Sequence, residues 1–125
     1  MSILENAIIA AGAQIQVKGD EFMKEFTFEA DFIGFDGHFP DNPILPAVVQ
    51  LMAGTVATGE AVGEQLFANG VSRAKFLKQI RPGNLLLVKG TLTAKDEIIT
   101  AAIKMSVDGE IASTFQIKLT RQGEQ

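Results

Sequence analysis

This 125-residue chain predicts an α+β domain, one antiparallel β-sheet of about six strands wrapped around a single long central helix. Three observations carry that expectation. In "KEFTFEADF", Phe26, Phe28, Ala30 and Phe32 fall on one face and Thr27, Glu29 and Asp31 on the other. That alternation is the mark of a half-buried strand. After Pro46, "AVVQLMAGTVATGEAVGEQL" runs without proline and gains charge only in its second half, which predicts a helix whose first three turns are buried all round. From Val71 onward the period returns to two.

The elements follow in order. "MSILENAIIAAGAQ" places an acidic residue where a secretory signal carries basic ones, and its apolar stretch is far below the roughly 20 residues that span a bilayer. It reads as a folded N-terminal arm. "AQIQVKGDEFM" is a first strand turning at Gly19-Asp20 into the second. Pro46 suits a first helical position, since its fixed φ and missing N–H cost nothing there. Gly54, Gly59 and Gly63 each weaken an exposed helix by about 1 kcal/mol relative to alanine, so strands are expected to press closely against them. "VSRAKFLKQI", "LLLVKGTLTA", "EIITAAIKMSVDG" and "IASTFQIKLTR" are four further strands. A Pro-Gly turn in "RPGN" and the Asp108-Gly109 pair connect them.

Composition narrows the function. Apolar residues are 46% and charged residues 21%, the balance of a globular protein. At this length one domain, residues 1–125, accounts for the chain. The absence of cysteine excludes a thiol nucleophile, a thiolate metal site and a disulfide framework. A net charge of -4 argues against a nucleic-acid partner, whose affinity rests on many Lys and Arg contacts to phosphate. No metal, cofactor or membrane span is called for, and a cytoplasmic location is the default expectation.

The chemistry concentrates in "GHFPDNPILPAVVQLMAG". Pro40, Pro43 and Pro46 restrain the backbone between the only histidine, His38, and the helix. A helix N-terminus offers unpaired amide donors and partial positive charge, so the amides of Ala47 and Val48 are placed to cradle an oxyanion developing at a carbonyl. Histidine titrates near neutrality and suits removal of a proton beside that carbonyl. A lone histidine is also an ordinary hydrogen-bonded core residue, and the residues by themselves leave that alternative open.

"GHFPDNPILPAVVQL" resembles the active-site segment of the hotdog-fold 3-hydroxyacyl-acyl carrier protein dehydratases, a G-H-F-P-x-x-P-[IVL]-[ML]-P-G-V block entering the central helix. "RAKFLKQIRPGN", with Phe76 and Pro82-Gly83, is similar to the family's second motif, and "DGEIASTFQIKL" to its closing strand. The resemblance covers residues 22–120. The variant "ILPAVVQL" resembles especially the small dehydratase-like proteins associated with aryl polyene and related lipid pathways. The resemblance implies a hotdog fold, a homodimer or higher even oligomer, and an acyl-thioester substrate on acyl carrier protein or CoA in a tunnel at the subunit interface. It further implies that His38 is the base and that the Ala47 amide binds the thioester carbonyl. Phe39, Pro43, Val48, Met52 and Phe76 are the expected substrate-binding residues.

Several positions depart from the family. Met52 stands where the family has the Glu or Asp that protonates the departing hydroxyl, and a thioether donates no proton. Gln50 lies about 200° around the helix from Met52 and Glu60 about 12 Å along it, so neither replaces that acid. Asp36 and Asp41 flank the histidine and are candidates to orient it. Ala47 replaces a glycine, Asn84 replaces an Asp, and the N-terminal H-R-x-P-F segment is absent. Arg73, Lys75, Lys78 and Arg81 form a basic cluster suited to dock an acidic carrier protein, or else an ordinary solvated strand. The expectations are therefore a dehydratase using His38, a non-catalytic acyl- or carrier-binding subunit lacking the acid, or an acyl thioesterase.

Overall fold

A computed structural model describes residues 2–35 and 43–121. Along the chain come α1 (Ile3–Ala11), β1 (Gln16–Lys18), β2 (Glu21–Thr27), a 3-10 turn (Ile33–Phe35), α2 (Ala47–Val62), β3 (Phe67–Phe76), β4 (Leu85–Lys95), β5 (Ile98–Val107) and β6 (Glu110–Thr120). The six strands form one antiparallel sheet in the order β1-β2-β4-β5-β6-β3. One sheet face buries Phe22, Phe26, Val88, Ile103, Met105, Phe115 and Ile117 against α2, and the other is wet. This is the α+β architecture the pattern predicts and the hotdog arrangement the resemblance implies.

The meander after α2 matches expectation closely because its turns are chemically explicit. Pro82 and Gly83, the latter at φ +82°, make a type II turn. Asn84 closes it by accepting from the Arg81 amide at 2.7 Å through Oδ1. Asp108 and Gly109 both take positive φ, the hairpin geometry whose twist matches its strands.

Several expectations need correction. The N-terminal arm is a helix: Ser2 caps α1 by accepting from the Glu5 amide at 2.9 Å. The second strand stops at Thr27, so Ala30 and Phe32 lie beyond it. The periodic phenylalanines instead continue as a column of rings, with centroids 5.7 Å apart for Phe26–Phe28, 4.6 Å for Phe28–Phe32 and 5.5 Å for Phe32–Phe35. Pro46 is the N-cap of α2, not its first helical residue, and β3 begins four residues before Val71. Finally, α2 is not buried all round. Val49, Gln50, Ala53, Gly54, Ala57 and Thr58 face inward, while Ala47 and Val48 are exposed and Leu51, Met52 and Thr55 half-buried. Of the three helix glycines only Gly54 meets a strand: a Cβ there would lie 3.2 Å from Phe115 and Ile117 atoms. Gly63 is the left-handed C-cap at φ +80°.

The N-terminal half is tied to α2 by one buried cation. Lys24 on β2 is 4% exposed, and its Nζ donates to the Ala13 carbonyl and pairs with Glu60 Oε1 at 2.7 Å. Removing it strands a carbonyl and a partly exposed carboxylate. Lys24→Met is expected to cost about 2 kcal/mol, read as a lower denaturant midpoint. An unchanged midpoint would show that the pair holds nothing together.

Candidate active site at the start of the central helix

The segment 36–42 contains His38, Phe39, Asp36 and Asp41, and these lie outside the described residues. Its two ends are well held. On the entry side, Phe32 and Phe35 are buried at the end of the aromatic column, and Phe32 N donates to Glu29 O at 2.9 Å. On the exit side Leu45 is fully buried and clamped twice: its amide donates to Ile80 O at 2.8 Å, and its carbonyl accepts from Gln50 Nε2 at 3.1 Å. Pro43 and Pro46 bracket that clamp and are half-buried.

The helix then starts with free donors. The amides of Val49 and Gln50 both donate to Pro46 O at 3.1 Å. Those of Ala47 and Val48 have no acceptor among the described residues, and Pro46 supplies no side-chain cap. Helix ends leave such amides open to whatever anion or carbonyl reaches them. Ala47 and Val48 are exposed, Val48 at 59%. Met52 lies one turn beyond Val48 on the same stripe of α2.

Phe76 sits at the end of edge strand β3, opposite buried Ser113. Its ring stacks on Phe115 at 6.5 Å, and Phe115, with Ile117, packs close against Gly54 of α2. Phe76 therefore stands at the sheet edge on the helix side. It remains half-exposed there, as do Val71 and Leu77.

The four cations of the basic cluster separate. Arg73, at φ +54° in a β-bulge, and Lys75, opposite Thr114, belong to the sheet face away from α2. Lys78 and Arg81 lie in the turn leading to β4. Lys78 is engaged by Glu110 at 2.7 Å, and that hydrogen bond and charge hold the exposed Glu110 carboxyl below its ordinary range. Arg81 donates to Gln79 Oε1 at 2.7 Å.

Gln50 is the residue the sequence undervalued. Considered only as a substitute acid, it has a different part, bracing the carbonyl two residues before Ala47. The available signal was a lone amide inside "AVVQLMAG", since a buried polar group implies a partner. Its Oε1 and Ser113 Oγ are buried with no partner among the described residues. Among the described residues no group of three or more His, Cys, Asp or Glu is placed to hold a metal ion, and no helix is long and apolar enough to cross a membrane.

Residues 14–116 match the model of the ApeI-like family, described as ApeI dehydratase. The chain is 41% identical over 91 residues to the 3-hydroxyacyl-[acyl-carrier-protein] dehydratase FabZ of Latilactobacillus sakei, a match covering 66% of this chain and 65% of that enzyme. It is 35% identical over 111 residues to the corresponding enzyme of Oenococcus oeni, covering 81% and 78%. Against the first of these relatives, the matched part thus spans just under two-thirds of the full length. Among solved structures, the dehydratase heterocomplex ApeI:P from Xenorhabdus doucetiae superposes with a TM-score of 0.74 at 27% identity, covering 88% of this chain and 96% of that one. The family match spans both the clamped loop and the open helix end, and the chain belongs to the ApeI-like dehydratase family of hotdog-fold proteins.

Proposed function

We propose that this chain binds a 3-hydroxyacyl thioester, carried on acyl carrier protein or CoA, at the start of α2 and eliminates water from it in fatty-acid or related lipid or polyene biosynthesis. The observation that carries the reading is the pair of amides at exposed Ala47 and Val48, which have no acceptor among the described residues. A thioester oxygen seated on them gains negative charge as the α-proton leaves, and fixed donors stabilise that charge. His38 takes the proton, the Cα=Cβ bond forms, and hydroxide departs from Cβ. With Met52 at the usual acid position, the proton on the His38 imidazolium is the one at hand to leave with hydroxide as water.

The half-exposed apolar residues Val48, Val71, Phe76 and Leu77 favour a second subunit against α2 and edge strand β3, which would complete an acyl tunnel with Phe39, Pro43 and Met52. Lys78 and Arg81 stand by the clamped loop and are the cations best placed to receive an acidic carrier there; Arg73 and Lys75 lie further along β3. A second reading rests on Met52. A chain without the acid serves as a non-catalytic acyl- or carrier-binding subunit, paired with an active paralogue, and the heteromeric ApeI:P relative lends it support. Thioesterase activity has no residue in its favour.

The test is formation of the enoyl thioester from a 3-hydroxyacyl pantetheine thioester by wild type and His38→Ala, with binding measured alongside. Turnover by wild type that His38→Ala loses is the expected result. Binding without turnover in both assigns the subunit role, and folded protein that neither binds nor turns over the thioester contradicts both readings.

A further inference from the structure

The sheet carries a second recess on the face away from α2, a trough of about 830 Å³ running across the strands from β1 to β3. Its geometry follows from the register. Val17, Phe22, Gly90, Ile103 and Phe115 form one cross-strand row in which the side chains of Phe22, Ile103 and Phe115 are buried on the other face, so the backbone of the row is the floor. The row on one side, Gln16, Met23, Lys89, Lys104 and Thr114, makes the first wall. The row on the other side, from Lys18 and Glu21 to Gln116, makes the second. Residues two apart on a strand are roughly 7 Å apart and neighbouring strands about 4.8 Å, so the trough is about one extended chain wide and about 24 Å long.

Its charge is out of keeping with the chain. Four cations, Lys18, Arg73, Lys89 and Lys104, line it against the single carboxylate of Glu21, in a protein of net charge -4. None of the four has an ion-pair partner among the described residues. Lys89 and Lys104 are direct cross-strand partners and both exposed. Like charges directly opposite destabilise a sheet, and nothing in the described fold offsets this pair. The cations extend along the whole length, Lys18 at one end, the lysine pair in the middle and Arg73 at the other. A ligand with one charged head would use only one of these places, whereas an extended chain carrying several carboxylates meets them all. A second copy of the same face would set lysine against lysine.

We infer that this trough is a docking site for an extended acidic polypeptide segment of a partner protein, separate from the thioester site on the opposite side of the sheet. The floor backbone is already paired within the sheet, so affinity comes from charge and from lysine stems packed along the segment.

The test uses a fluorescein-labelled synthetic peptide alternating glutamate and serine, followed by anisotropy against the intact protein. Binding that weakens steeply with ionic strength, falls at least about tenfold in Lys89→Glu with Lys104→Glu, and survives Lys95→Glu is the expected result. Lys104→Glu alone, which sets a carboxylate opposite Lys89, should raise the melting temperature while it weakens the peptide. That variant keeps the proposal testable if the double variant folds poorly. No binding at low salt, binding indifferent to Lys89 and Lys104, or loss caused instead by Lys78→Glu and Arg81→Glu would overturn the proposal. So would stronger binding of a single-stranded oligonucleotide than of the peptide.

Discussion

Met52→Glu is expected to raise dehydration of a 3-hydroxyacyl thioester by about 10²–10⁴-fold, the usual contribution of a positioned general acid. Position 52 is half-buried on the half-open stripe of α2, one turn beyond Val48, whose amide has no acceptor among the described residues. A carboxyl placed among the apolar residues of that stripe is held protonated to higher pH by desolvation, the form a proton donor needs. The pH profile should change with it. With His38 as the proposed base, wild-type turnover should rise with pH, since only neutral imidazole accepts a proton. In the variant a falling limb appears at higher pH as the new carboxyl ionises, giving a bell. His38→Ala in the Met52→Glu background should return the rate to baseline. A folded Met52→Glu protein with no gain would mean that helix and histidine do not flank a common substrate.

The second large effect concerns one hydrogen atom. Ala47→Pro removes the N–H proposed to hold the thioester oxygen, and the first helical position is where proline is best tolerated. Pro46 already has ψ 154°, the extended conformation required of a residue before proline. The melting temperature should therefore barely move. Turnover in the Met52→Glu background should fall by about 10²–10³-fold, the usual cost of one oxyanion donor. Ala47→Gly keeps the donor and should keep the rate. Equal activity in all three would place the carbonyl elsewhere.

Where local chemistry fixes the backbone, the sequence was legible. The Asp108-Gly109 turn joins β5 to its partner β6, Pro82-Gly83 leads into β4, and the proline-bracketed block marks the entry to α2. The capping pattern Ser2-x-x-Glu5 also marks α1, where the sequence reading stops at a folded arm without naming a helix. β3 was harder to bound. Its first residues, "FANG", show no alternation, and pairing with β6 across two register shifts makes them a strand. The open stripe of α2 was illegible for another reason. Val48, Leu51 and Met52 are as apolar as Val49 and Ala53, and composition does not distinguish burial within a chain from burial against another molecule. Nor does residue order reveal that Lys89 faces Lys104, because register is a property of the folded sheet.

The most direct test of the site is the carbonyl stretching frequency of an isotope-labelled acyl thioester bound to wild type and to Ala47→Pro, a measurement that needs no turnover. Two amide donors on the oxygen should lower the frequency in wild type, and the proline variant, which keeps only the Val48 donor, should recover part of the unbound value. A bound thioester whose carbonyl is unshifted, or equally shifted in both proteins, would contradict the assignment of the α2 N-terminus as its cradle.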